Sequence, residues 1–242
     1  MTRARHAGLV LAGGSGSRFA REAPAGAGPK TLLRDESGRS LLAHAVETLA
    51  GAGCDPVAVV VGAHAEAVTA EVKAVAARMT VRAGDGVDAR VVVVPCPDWA
   101  EGMGASLRAG LAALVGESLG GDSATGSGEV AEAPDREAPA AVVVTLADLP
   151  GQAVAVARRV IESVPAGGSG RATFGGRPGH PVVLGPDVWG DVLARVGGDV
   201  GAREVLRARG ATTVECGDLA EGGDVDRPAD LARTQREWGT RE

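Results

Sequence analysis

The 242-residue sequence predicts an α/β fold built on a mainly parallel, doubly wound sheet with helices on both faces. Three observations carry that expectation. Continuous apolar runs such as Val57-Ala58-Val59-Val60-Val61 and Val91-Val92-Val93-Val94 read as strands buried on both faces. Such runs alternate with helical patterns through the first two thirds of the chain. An early strand also runs straight into a glycine-rich basic loop, and α/β sheets bind ligands beyond the carboxyl ends of their strands.

Taken in order, the first strand spans 6–11 and leads into Leu11-Ala12-Gly13-Gly14-Ser15-Gly16-Ser17-Arg18, with Pro29-Lys30-Thr31 further on. Glycines at the end of a buried strand let backbone N–H groups ring a polyanion. Arg18 and Lys30 add formal positive charge beside those dipoles. A dinucleotide fingerprint is excluded, because counting G-x-G-x-x-G from Gly14 puts Phe19 at the sixth position. A P-loop is excluded as well, since Lys30 follows Pro29 and not glycine. The loop is therefore a third kind of phosphate site, or else a tight turn between strand and helix.

Helices follow at 40–52, 64–78, 104–115 and 152–164, interleaved with strands at 57–61, 90–95 and 141–146. After residue 165 the rhythm changes, with short strands near 171–174, 181–184 and 211–215 and helices near 187–195, 200–209 and from 228. One nucleotide-binding unit is expected over 1–242, carrying a mobile insertion at 116–140 that is rich in Gly, Ser, Ala and Glu. The insertion joins a helix end to a strand start, which puts it at the edge opposite the ligand-binding rim. The shorter excursion at 20–28 lies inside the phosphate loop.

Composition narrows the function. With 25 basic against 31 acidic residues the net charge is −6, which argues against sustained nucleic-acid binding. Cys54, Cys96 and Cys216 are far apart, so neither a disulfide framework nor a zinc site is expected. No apolar run reaches membrane-spanning length, and a cytoplasmic protein is expected.

The strand at 141–146 ends in Leu146-Ala147-Asp148-Leu149-Pro150, which places a carboxylate on the ligand-binding rim. Gly223-Asp224-Val225-Asp226-Arg227-Pro228 sets alternate carboxylates before the last helix. Asp148 and Asp226 can converge on one Mg²⁺, a hard cation that takes carboxylate, phosphate and water oxygens. The alternatives are a turn residue for Asp148 and a helix N-cap for Asp226. In Pro97-Asp98-Trp99-Ala100-Glu101-Gly102-Met103-Gly104-Ala105-Ser106, the glycines allow close backbone approach and Ser106 offers a hydroxyl at a helix start. Trp99 reads as local packing. Gly175-Gly176-Arg177-Pro178-Gly179-His180-Pro181 is a rigid turn that makes His180 a site candidate, whereas His6, His44 and His64 read as ordinary partly exposed residues.

Together these residues resemble the MobA/MocA-like nucleotidyltransferases that attach a nucleotide to molybdopterin, and most closely the cytidylyltransferase branch. The family's L-A-x-G-x-S-x-R-[MF]-G loop corresponds to Leu11 through Phe19, and its following lysine to Lys30. Its N-P-x-[WY]-x-x-G-x-x-x-S segment corresponds to Pro97, Trp99, Gly102 and Ser106, and L-x-D-x-P to Leu146, Asp148 and Pro150. G-H-P corresponds to Gly179-His180-Pro181, G-D-x-G-A-R to Gly198 through Arg203, and D-x-D-x-P to Asp224, Asp226 and Pro228. The order is kept along nearly the whole chain. Departures are Gly16 in place of Ser, Ala20 in place of Gly, Cys96 in place of Asn, and the 20–28 excursion.

The resemblance implies a Rossmann-like fold of the nucleotide-diphospho-sugar transferase type. It implies transfer of CMP from CTP to the phosphate of molybdopterin or the molybdenum cofactor, with release of pyrophosphate and dependence on Mg²⁺. Leu11, Ala12, Gly13, Gly14, Ser15, Gly16, Ser17, Arg18, Lys30, Gly102 and Ser106 would bind the nucleotide. Lys30, Arg18 and Asp148 would act in catalysis, Asp148 and Asp226 on the metal, and Gly179 and His180 toward the acceptor. Transient contact with a recipient molybdoenzyme or its chaperone follows from the same role. The rivals are a related transferase using GTP or another phosphorylated acceptor, a non-catalytic carrier of the finished cofactor, and an interaction protein working through the acidic 116–140 segment.

Overall fold

The computed structural model describes residues 5–23, 27–82, 89–116, 138–198 and 201–223. Among them are the strands β1 (His6–Ala12), β2 (Cys54–Val61), β3 (Val91–Pro95), β4 (Ala141–Leu146), β5 (Gly170–Phe174), β6 (Arg177–Leu184) and β7 (Thr212–Glu215). They form one sheet in the order β3-β2-β1-β4-β6-β5-β7. β1 pairs in parallel with β2 and β4, and β2 with β3. β6 runs antiparallel to both β4 and β5, and β5 is parallel to β7. The change of rhythm after residue 165 is this reversal.

Helices α1 (Ser17–Glu22), α2 (Leu41–Gly51), α3 (Ala65–Arg82), α4 (Met103–Val115), α5 (Val154–Ser163), α6 (Pro186–Arg195) and α7 (Arg203–Ala208) flank the sheet. Alternation along each strand divides its side chains between two cores. Val10, Val59 and Val143 pack with Leu42 and Val46 of α2, Val72 of α3 and Val156 of α5. Leu9, Val60 and Val144 face the other way, against Leu111 of α4, Trp189 of α6 and Leu206 of α7. Leu9, Val10, Val59 and Val60 have no exposed surface, and each such side chain contributes about 1.5–3 kcal/mol on leaving water.

Two expectations need correction. Val91–Val94 are only half-buried, because β3 is an edge strand. An all-valine run reads the same for an edge strand as for a central one. The chain also turns helical at Ser17–Glu22, directly after the glycine loop, where no helix was expected. The expected helix from 228, all but the flanks of the 116–140 insertion, and residues 24–26 of the 20–28 excursion lie outside the described residues. The flanks of the insertion sit at the amino edge of the sheet, where Ala140 N donates to Arg5 O at 2.7 Å. That is the edge opposite the glycine loop.

Candidate active site

β1 ends at Ala12, and the glycine loop runs on to the start of α1. Gly16 precedes the helix with φ 61°, a left-handed conformation that favours glycine. This accounts locally for glycine where the family pattern has serine. Gly13 is buried, and a Cβ there would lie 2.6 Å from Ser106 Oγ. Its missing side chain is what lets the start of α4 close against the loop. Gly13 O accepts from Ala63 N at 3.0 Å, tying the loop to the segment after β2.

Lys30 opens a 3-10 turn (Lys30–Leu32) that follows Pro29. Its Nζ lies 2.6 Å from Asp148 Oδ2, with the two side chains 10% and 24% exposed. Asp148 stands two residues beyond the end of β4. The two charges therefore come from segments more than a hundred residues apart and meet over the carboxyl edge of adjacent strands β1 and β4.

A cavity of about 340 Å³ opens at that edge. Leu11, Ala12, Gly13, Gly14, Ser15 and Gly16 form one wall, with Lys30 and Asp148 beside them. Gly102, Met103 and Ser106 form another, and Trp99 lines it too. Trp99 also packs on the backbone of Gly62 and against the second core. Ser106 is 4% exposed. Ser17 and Arg18 do not line this cavity; they belong to α1 and are exposed.

His180 and Gly179 lie on β6, away from this lining. His180 lines a second, water-sized cavity of about 20 Å³ with Leu149, Gln152, Phe174, Gly222 and Gly223. Its Nδ1 lies 3.4 Å from Val144 O. Burial holds its pKa down at about 4, the Val144 hydrogen bond works against that, and the charge of Arg171 adds to it. The imidazole is therefore neutral at neutral pH. Gly222 and Gly223 bring the chain against the loop after β4 immediately before the D-x-D segment. Asp224 and Asp226 themselves lie outside the described residues, as does Asp199 of the G-D-x-G-A-R segment.

Three residues that shape the site were missed from sequence. Glu215 accepts hydrogen bonds from Gly175 N at 2.8 Å, Gly176 N at 3.1 Å and Thr173 Oγ1 at 2.9 Å, so it clamps the turn that leads to His180. Those donors hold its carboxyl down at about 2. His64 places Nε2 3.4 Å from Ser15 O, beside the glycine loop. Gln152 braces the Asp148 loop. A lone Glu, His or Gln at or beyond a strand end gives no pattern to read, because each partner is distant in sequence or is backbone.

Among the described residues no group of three or more His, Cys, Asp or Glu could hold a metal, and no helix is long and apolar enough to cross a membrane. Nicotine blue oxidoreductase of Paenarthrobacter nicotinovorans is 31% identical over 228 residues, covering 90% of this chain and 91% of the relative. Rv0371c from Mycobacterium tuberculosis H37Rv is 24% identical with a TM-score of 0.61, covering 98% of this chain and 100% of its own. Rv0371c has also been solved in complex with manganese. A nucleotidyl transferase from Methanothermobacter is 24% identical with a TM-score of 0.63, and 97% of each chain is covered. The match to the MobA-like NTP transferase domain runs over residues 8–214, from within β1 into β7. With that span and a curated relative over most of its length, the chain belongs to the MobA-like NTP transferase family.

Proposed function

We propose that this protein transfers CMP from CTP to the terminal phosphate of a molybdopterin-type acceptor and releases pyrophosphate. The observation that carries the reading is the Lys30–Asp148 pair, set at 2.6 Å beside the glycine loop in one cavity. An acceptor phosphate oxygen attacks the α-phosphorus, a new P–O bond forms, and the bond between the α-phosphorus and the α–β bridging oxygen breaks. The attacking phosphate is already ionised at neutral pH, so no protein base has to remove a proton. The task of the chain is to bring anions together and stabilise the leaving pyrophosphate.

The amides of the 13–16 loop and the Lys30 ammonium supply positive potential to the triphosphate. Ser106 and the loop backbone lie where a base entering the cavity would meet them. Asp148 fits a divalent cation. It is a partly exposed carboxylate on the rim of the cavity beside the glycine loop, and Mg²⁺ or Mn²⁺ commonly rests on one or two carboxylates with substrate phosphates completing the shell. Asp148, joined by Asp226, would hold the ion, which when bound polarises phosphoryl oxygens and neutralises developing charge. His180 and Gly179 would serve the acceptor side, and Arg18 the outer rim of the triphosphate.

The test is pyrophosphate release with Mg²⁺ or Mn²⁺ and molybdenum-loaded molybdopterin, compared across CTP, GTP, ATP and UTP. Release with CTP alone supports the reading. Release with GTP alone keeps the chemistry and changes the base. No release with any of them overturns it. A second reading is favoured by one observation, the relative at 31% identity whose name describes an oxidoreductase. On that reading the same cavity serves a redox reaction. Turnover of nicotine blue with a supplied electron donor or acceptor, without pyrophosphate release, would select it.

A further inference from the structure

The loop that carries Asp148 is shaped by the side chain of Gln152. Gln152 Nε2 donates to Leu146 O at 2.8 Å and to Leu149 O at 3.1 Å. Its Oε1 accepts from Thr145 Oγ1 at 2.7 Å. The two carbonyls lie on either side of Asp148 in the chain, so a single amide gathers the 146–149 turn and fastens it to β4. Thr145 is fully buried. Its hydroxyl donates to the amide oxygen, which leaves both N–H groups for the carbonyls and fixes which way the amide faces. Ala147 N donates to Leu11 O at 3.1 Å and ties the same turn to the strand that feeds the glycine loop. Asp148 is thus held from behind by a closed set of hydrogen bonds while its carboxylate meets Lys30 in front.

We propose that Gln152 is a positioning residue: its amide holds the Asp148 carboxylate toward the phosphate loop and so sets the affinity for a divalent cation bound together with a nucleoside triphosphate. The inference rests on the nucleotidyl-transfer reading above. Supporting residues behind a metal ligand typically change metal affinity or activity by about 10–100-fold when altered. Gln152→Glu keeps the length but turns a carboxylate oxygen toward two carbonyl oxygens, which repels where the amide attracts. Thr145→Val keeps the shape and removes the hydroxyl donor, whereas Thr145→Ser keeps the donor.

The experiment titrates Mn²⁺ against the purified protein with CTP, following bound Mn²⁺ by electron paramagnetic resonance, with folding checked by thermal melting. Gln152→Glu is expected to raise the half-saturating Mn²⁺ concentration roughly 10–100-fold. CTP affinity measured without metal should stay within about twofold of wild type, a split that general loss of structure would not produce. In an Asp148→Asn background, Gln152→Glu should have no further effect, because it acts through Asp148. Thr145→Val should follow Gln152→Glu in direction and Thr145→Ser should resemble wild type, which keeps the test open if Gln152→Glu does not fold. Wild-type Mn²⁺ dependence in both Gln152→Glu and Thr145→Val overturns the inference. So does an equal loss in the Asp148→Asn background. Wild-type protein that binds Mn²⁺ with CTP and transfers nothing overturns the transfer reading alone. Wild-type protein that binds no Mn²⁺ with CTP overturns both.

Discussion

Lys30 and Asp148 are the residues on which the functional account turns, and each predicts a different kinetic change. Asp148→Ala should leave a folded protein and lower kcat by roughly a thousandfold, since a metal-bound carboxylate supports several kcal/mol of transition-state charge stabilisation. Lys30→Ala should chiefly weaken triphosphate binding, by about 10–100-fold, the worth of one charge-assisted hydrogen bond. Unchanged CTP affinity in Lys30→Ala would remove the lysine from the phosphate site. His180 makes a prediction about pH. Its folded pKa of about 4 lies below the ordinary 6.5, so between those values the unfolded chain binds a proton that the folded chain does not. Its contribution is complete above pH 6.5 and is lost as pH falls toward 4. Urea unfolding across that window should show wild type losing stability relative to His180→Gln, and parallel curves would contradict the neutral, buried imidazole.

At the scale of elements, the glycine loop and its neighbours make further tests. Gly13→Ala drives a Cβ to 2.6 Å from Ser106 Oγ, an overpacking that costs about 1–3 kcal/mol. Adding Ser106→Ala should recover part of the lost Tm, and no recovery would show that the strain lies elsewhere. Glu215→Gln replaces the carboxylate that gathers Gly175, Gly176 and Thr173, so amide exchange at the two glycines should quicken. The position of the loop at the end of β1 was legible in the sequence, because an apolar run followed by Gly13, Gly14 and Gly16 marks a strand passing into a tight turn. The strands were legible because valine runs have few other uses. Glu215, His64 and Gln152 were not, since each works through a contact with a backbone atom that no sequence spacing records. The edge position of β3 was equally hidden, because strand order depends on which crossover each helix makes and not on local composition.

For the whole molecule, the sheet order brings β1 and β4 side by side, and this adjacency lets residues near 15, 30, 106 and 148 share one cavity. Doubly wound alternation foretold a cavity at the carboxyl edge; it did not foretell the antiparallel β6 that carries His180 to a separate, smaller cavity. The insertion springs from the opposite edge, so removing 118–136 should leave transfer within about twofold of wild type, in keeping with the tolerance of surface loops to changes of length. A collapse of activity would show that this segment serves the site. Following a radiolabel placed on the α-phosphate of CTP shows whether the protein performs nucleotidyl transfer. With Mg²⁺ and molybdopterin, wild-type protein should move the label into the acceptor, releasing one pyrophosphate for each label transferred, and Asp148→Ala should not. Label that emerges as free CMP regardless of acceptor, or that stays in CTP while α-labelled GTP is also left intact, would refute nucleotidyl transfer.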